Sequence, residues 1–217
     1  MWDIPDDFLQ RSHFDRVVAN LQWQSSPGWP YMQRAPTNAQ FFKYNPNTGK
    51  VDQEVSDYMW ELVSNRIYHK SRSDPVRLLI KPEPHKQKKL NHHRYRLISA
   101  VSVADQIIDH MLFDEMNENM IKDHAVIPSK AGWSPLSGGW KHIPKETWVA
   151  TDKSAWDWTV RMWLVELVLD MRATLCRTTG TLFQAWFELA KYRYEEMMAN
   201  PHYILSNGYV LRQRVPG

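Results

Sequence analysis

"RLISAVSVADQIIDHML" (residues 96–112) changes its periodicity at one point, and that change decides the fold. Leu97, Ile98 and Ser99 read as a short strand. Ser102, followed three residues later by Asp105, reads as a capping-box-like helix start. Both side chains can serve backbone N–H groups that a first helical turn leaves without partners. Val103, Ile107, Met111 and Leu112 then share one helical face, and the helix continues through "FDEMNENMI". The chain lacks the regular β–α alternation of a doubly wound sheet, so a strand feeding directly into a long helix gives an α+β class.

Upstream, "VRLLIKPEP" (76–84) reads as a strand ended by prolines, and Val55, Met59, Leu62, Val63 and Ile67 recur at helical spacing before it. Between the two strands lies "KPEPHKQKKLNHHRYR", with Lys81, Lys86, Lys88, Lys89, Arg94 and Arg96 set against the single acid Glu83. Such a cluster would attract polyphosphate or an RNA backbone, with arginine able to make bidentate phosphate contacts; the plain alternative is a solvated basic loop. Arg94 and Arg96 precede the strand, and alternation would aim both guanidinium groups the same way. Residues 1–50, rich in Pro, Asn, Gln and aromatics, predict irregular structure. Within them "SSPGWPYM" (25–32) sets Gly28 between two prolines, a stiff backbone able to approach a ligand closely at one point.

Downstream, "IPSKAGWSPLSGGW" (127–140) is a loop and "TWVAT" (147–151) a short strand leading into "TDKSAWDWTV" (151–160). Asp152 would leave that strand, residues 153–155 turn, and Asp157 open a long helix marked by Val160, Trp163, Leu164, Leu167, Val168, Met171 and Leu175. Gly180 is expected to end it. A further helix is predicted from about Leu182 to Met198, and "HYILSNGYVLRQ" (202–213) carries Asn-Gly between two apolar runs, a hairpin signal. A carboxylate at a strand end can hold Mg²⁺, which prefers oxygen ligands. The bland reading of Asp152 and Asp157 is a solvated acid and a helix cap. Trp156, Trp158 and Trp163 read as packing residues ahead of stacking platforms.

Composition narrows the classes. Of 217 residues, 43% are apolar and 24% charged, which excludes disordered and fibrous chains. The net charge of +3 argues only weakly for a nucleic-acid partner. Cys176 is the only cysteine, so no internal disulfide forms, and the scattered histidines show no zinc spacing. No apolar run approaches the roughly 18 residues of a membrane span, and "MWDIPDDFLQ" is acidic, unlike a signal peptide. A soluble intracellular location is expected.

The small Gly/Pro loop, the Lys/Arg segment ending in "RYRLIS" and the Asp-x4-Asp turn, in this order, resemble the viral RNA-dependent RNA polymerases, in particular those of sobemovirus-like positive-strand RNA viruses. The resemblance covers roughly residues 25–217 and implies the fingers and N-terminal part of the palm of a right-hand polymerase. Residues 1–145 would be fingers, with motif G-like (25–32) and motif F-like (81–99) segments. Residues 146–217 would begin the palm, with motif A at 151–160 and the following helices and hairpin. On the same basis Asp152 is a ligand to Mg²⁺ or Mn²⁺, assisted by the Lys153 carbonyl, and Asp157 recognises the ribose 2′-OH, where reverse transcriptases usually carry an aromatic residue. Arg96 would hold the incoming triphosphate with help from Arg94 and Lys86. Ser26, Gly28, Pro30 and Tyr31 would line the template entry, and Lys81 and Lys89 would add RNA contacts. The implied chemistry is two-metal nucleotidyl transfer from NTPs to an RNA primer on an RNA template, in the host cytoplasm or in membrane-associated replication complexes. Motif B (Ser-Gly, then Thr and Asn) and motif C (Gly-Asp-Asp) do not occur in these 217 residues, so the remainder of a polymerase is an expected partner and this chain alone is expected to be inactive. The alternatives are a non-catalytic RNA-binding module, a reverse transcriptase-like polymerase and, more distantly, a carbohydrate-active enzyme using two acids amid tryptophans.

Overall fold

The computed structural model describes residues 1–214 apart from Pro144, Glu146, Trp148 and Ala155, and describes His142, Asp157 and Trp158 by their backbone alone. Residues 215–217 also lie outside it. The helices are α1 (Arg11–Ala19), α2 (Asn38–Phe41), α3 (Gln53–His69), α4 (Gln87–Asn91), α5 (Val103–Lys122), α6 (Trp156–Thr159), α7 (Met162–Leu175) and α8 (Gly180–Tyr194). The strands are β1 (Val76–Ile80), β2 (Leu97–Ala100), β3 (His202–Ile204) and β4 (Val210–Arg212), in sheet order β2-β1-β3-β4. β1 pairs antiparallel with β2 and parallel with β3, and β3 with β4 antiparallel. The class is α+β, with helices around one core and a small mixed sheet.

The strand-to-helix switch falls where the sequence puts it. Ser102 caps α5, accepting from the Asp105 amide at 3.2 Å and donating its hydroxyl to the Asp105 carboxylate at 2.8 Å. The buried face of α5 holds Val103, Ile107, Ile108, Met111 and Leu112. α3 starts on an Asp52 cap and buries Met59, Val63 and Ile67, as its spacing predicts. The prolines after Ile80 end β1 as expected, and Gly208, at φ +85°, closes the turn between β3 and β4.

Four expectations are corrected. Residues 1–50 contain α1, whose Phe14, Val17 and Val18 sit at helical spacing and are buried. Gly180 opens α8; α7 stops earlier because residues 175–177 bond to Trp2, its N–H donating to the Leu175 carbonyl and its carbonyl accepting from Arg177. α7 buries Val165 and Leu169, while Trp163, Leu167 and Met171 stay exposed. This helix is apolar almost all round, so periodicity could not select its buried face. Finally, of the "TWVAT" run, Trp148 lies outside the described residues and Thr147, Val149, Ala150 and Thr151 form no strand. A strand needs a partner ladder, and none is described beside them.

The helices are pinned by a buried ionic cluster. Arg193 of α8, 1% exposed, donates to Asp105 at 2.9 Å, to Asp109 at 2.7 and 3.1 Å and to Ser73 at 2.7 Å. The Asp105 carboxylate, fully buried, also meets Arg66 of α3 at 3.0 Å and the Asp74 amide at 2.9 Å, and Asp74 in turn pairs with Arg66 at 3.1 Å. Burial alone would raise the Asp105 pKa; the Arg193 and Arg66 charges outweigh it and hold the carboxyl below the usual aspartate value. A pKa lowered on folding contributes stability above the unfolded value, near pH 4, and that contribution is lost as pH falls through the folded value. Asp105→Asn is expected to cost about 3 kcal/mol at neutral pH, because it removes the one carboxylate that two buried guanidinium groups share and leaves Arg193 with Asp109 and Arg66 with Asp74 alone, and to flatten the acid limb of the stability profile; urea titrations from about pH 3 to 7 measure both.

Candidate functional site

The basic segment is a structured hairpin. The last rung joins the Lys81 amide to the Arg96 carbonyl at 2.8 Å, one step beyond the Ile80–Leu97 pair. Pro82 and Pro84 lack N–H donors, so the ladder cannot continue. The chain instead forms α4, a short helix absent from the sequence reading, closed by His93 at φ +51°. Lys86, Lys88, Lys89 and Arg94 are all exposed around it. Arg94 lies before β2 rather than on it, its amide bonded to the Lys89 carbonyl at 2.8 Å. The strand alternation invoked for Arg94 and Arg96 therefore does not apply.

Glu83 receives Lys81 at 3.1 Å and Arg96 at 3.2 Å. The Lys81 bond, aided by the Arg96 bond, holds its carboxyl below the ordinary glutamate range against the opposing effect of desolvation. Exposed pairs of this kind are weak and screened by salt. Arg96 is thus oriented yet easily drawn away by a stronger anion.

The Gly/Pro loop sits against the base of this hairpin. Val103 donates its N–H to the Pro27 carbonyl at 2.7 Å, and a Cβ at Gly28, which has φ +67°, would stand 2.4 Å from the Val101 carbonyl oxygen. The close approach that glycine permits is made to the protein's own backbone. Tyr31 is buried, its ring edge against Phe41. Ser26 and Pro30 are half-buried and retain access to solvent.

Asp152 and Lys153 are exposed in an irregular run. The Asp157 backbone lies in α6, separated from α7 by Val160 and Arg161, so Asp157 does not open the long helix; its side chain lies outside the described residues. Trp156 and Trp163 are exposed at 48% and 64%, against the packing expected of them. Among the described residues, no hydrogen bond or ion pair joins Asp152 or Lys153 to the hairpin, and no group of three or more His, Cys, Asp or Glu is arranged to hold a metal. The structure unites the loop and the hairpin, and among the described residues no bond ties the Asp152 turn to them. Sequence reading also missed that Arg77, His202 and Arg212 share one face of the sheet, which only strand register sets, and that Arg72 bonds to His202 at 3.0 Å.

The fold matches part of that of a viral polymerase. A Sicinivirus 3Dpol RNA-dependent RNA polymerase superposes with a TM-score of 0.64 at 15% identity, over 91% of this chain and 40% of that one. The chain belongs to the viral RNA-dependent RNA polymerase family, whose model matches residues 12–215. Among similar proteins are Protein P1-P2 of Pea enation mosaic virus-1 (strain WSG), 30% identical over 98% of this chain and 20% of that protein, and Replicase polyprotein P2AB of Southern cowpea mosaic virus, 32% identical over 94% and 23%. The chain thus spans about a fifth of the length of the curated relatives it matches.

Gly28→Ala is expected to lower stability by more than about 1 kcal/mol, since it combines a left-handed backbone with a clash against Val101. Ser26→Ala beside it should change stability by less than about 0.5 kcal/mol. Thermal or urea unfolding of the two variants checks the contrast.

Proposed function

We propose that this chain forms the fingers (1–145) and the beginning of the palm (146–217) of a viral RNA-dependent RNA polymerase, and that it supplies a triphosphate clamp and one metal-binding carboxylate for nucleotidyl transfer. The observation that carries the reading is a family match, over residues 12–215, that takes in both the basic hairpin and the Asp152 turn. Buried apolar side chains from both sides of the proposed boundary join in one core, which gives the two parts a common frame.

In this mechanism Arg96 leaves Glu83 for the incoming triphosphate, whose charge and bidentate geometry outcompete one exposed carboxylate. Arg94 and Lys86 add positive charge, and Ser26, Pro30, Lys81 and Lys89 guide the RNA. Asp157 accepts a hydrogen bond from the ribose 2′-OH, the group that separates ribonucleotides from deoxyribonucleotides. The Asp152 carboxylate and Lys153 carbonyl are oxygen donors exposed to solvent, the ligand type that Mg²⁺ and Mn²⁺ prefer, and they would form one side of a metal site. Bound there, divalent ions supply charge stabilisation to the attacking and leaving oxygens. Further carboxylates are needed, and the same reading assigns them to the remainder of the polymerase. The reading also sets the protein in the host cytoplasm, with recruitment to membranes left to partners. Among the described residues no helix is long and apolar enough to cross a membrane.

In a polymerase completed with its downstream motifs, Asp152→Asn is expected to reduce nucleotide incorporation by about 10³-fold or more while leaving RNA binding intact. Full activity of that variant would overturn the enzymatic reading in favour of a non-catalytic RNA-binding module. Asp157→Ala should raise deoxyribonucleotide use relative to ribonucleotide use, read from competing single-nucleotide incorporation. The 217-residue chain alone, which contains no Gly-Asp-Asp, is expected to incorporate no labelled nucleotide.

A further inference from the structure

We propose that the apolar cavity between the C-terminal half of α5, the 127–129 turn and the end of α7 binds a small amphipathic cation, an alkyl or aryl amine whose apolar body fills the cavity and whose ammonium group meets Asp123. The cavity lies outside the motif-like segments, and the proposal goes beyond the polymerase reading without depending on it.

Backbone contacts hold the walls in place. Trp2, buried, closes one side: its indole Nε1 donates to the Arg172 carbonyl at 2.8 Å and its amide to the Leu175 carbonyl at 3.2 Å, which seats it against the last turn of α7. A second wall forms where the Asp123 carbonyl accepts from the Val126 and Ile127 amides at 2.9 and 3.2 Å and turns the chain past the end of α5. Lys130 locks that turn, its ammonium donating to the His124 and Ile127 carbonyls at 2.8 and 2.7 Å. The space left between the walls is about 370 Å³, within the ~300 to 1,000 Å³ range of small-molecule sites.

The lining is apolar and adaptable. Met116 and Met120 come from α5, Ile127 and Pro128 from the turn, and Met171 and Leu175 from α7. Met120 and Ile127 are half-buried, and Met171 and Leu175 are 44% and 37% exposed, so a ligand can reach them. Methionine is flexible and polarisable and refits to ligands of different shape. An apolar body placed here removes surface from water on both partners.

Charge selects the other end of the ligand. Asp123 lines the cavity as the C-cap of α5, and it is exposed. Among the described residues, no cation comes within ion-pair distance of its carboxylate. The basic groups nearest it in the chain are engaged: Lys122 pairs with Glu118 at 3.5 Å, His124 Nδ1 lies 2.7 Å from the Ile121 carbonyl, and Lys130 serves the turn. A carboxylate at a helix C-terminus adds to the negative end of the helix dipole, an unfavourable placement that a ligand cation relieves and a second anion worsens. Asn119, which also lines the cavity, directs its side-chain nitrogen to Glu115 at 3.5 Å and keeps its oxygen as an acceptor for the same ammonium.

The test is NMR of the 217-residue chain labelled with carbon-13 at its methionine methyl groups, titrated with octylamine, octanol and octanoate, which share one apolar chain and differ in head-group charge. Octylamine should move the Met116, Met120 and Met171 signals and leave that of Met59, fully buried in the core, in place. Octanol should bind about fivefold more weakly, the scale of one exposed charge pair, and octanoate more weakly still. Asp123→Asn should bring octylamine down to the octanol affinity, and Ser129→Trp, in the lining, should block all three probes. Thermal melting checks the fold; if Ser129→Trp does not fold, the octylamine and octanol titrations of the wild type and Asp123→Asn carry the test. Equal affinity for the three probes, or an unchanged preference for octylamine in Asp123→Asn, would overturn the site. So would octylamine shifts confined to methionines outside the cavity, or none up to the solubility limit.

Discussion

A guanidinium buried to 1% exposure can keep its charge only if carboxylates meet it, and Arg193 is met by Asp105 and Asp109. This requirement organises the rest of the molecule. Asp105 is fixed by the cap that starts α5, so Arg193 fixes α8 against α5; Arg66 brings in α3, and Asp74 brings in the segment that feeds β1. Replacing such a cluster with apolar residues often costs little, but breaking it from one side costs much. The cluster therefore sets the relative placement of the helices more than it adds to net stability.

The basic hairpin inherits its position from this anchor. Val76 follows Asp74 by two residues, β1 leads out to Lys81, and β2 returns through Val101 to the Ser102 cap. The Gly28 loop packs on that return strand and fixes its base. The cationic tip is exposed on a base fixed by these contacts, an arrangement that suits the proposed clamp, in which Arg96 would exchange Glu83 for a larger anion. The Asp152 turn has no comparable anchor among the described residues, and Trp156 and Trp163, which follow it in the chain, are exposed.

Much of this was legible in local sequence. The Ser102/Asp105 cap, the spacing of α3 and α5, the prolines after β1 and the Asn-Gly hairpin each act within a few residues of themselves, so no distant contact was needed to read them. The errors share one cause. Gly180 looked like a helix end because nothing nearby reveals that Trp2 bonds residues 175 and 177. α7 carries apolar residues on nearly every side, so the buried face depended on its neighbours. Tyr31 looked available to a ligand until Phe41 was placed against it.

The sequence by itself determined the α+β class, the polymerase-like order of motifs and the concentration of positive charge between residues 81 and 96, because caps, periodicity and charge density are local properties. Only the tertiary structure decided which charges are spent on the fold and which stay outside its buried cluster. Arg66 and Arg193 are buried with Asp105, whereas Arg77 and Arg212 lie outside that cluster on one face of a sheet whose parallel β1–β3 pairing joins segments more than a hundred residues apart. Coulombic pairing acts through space, and the distances that set it are fixed by strand register and helix packing, which no local window of sequence contains.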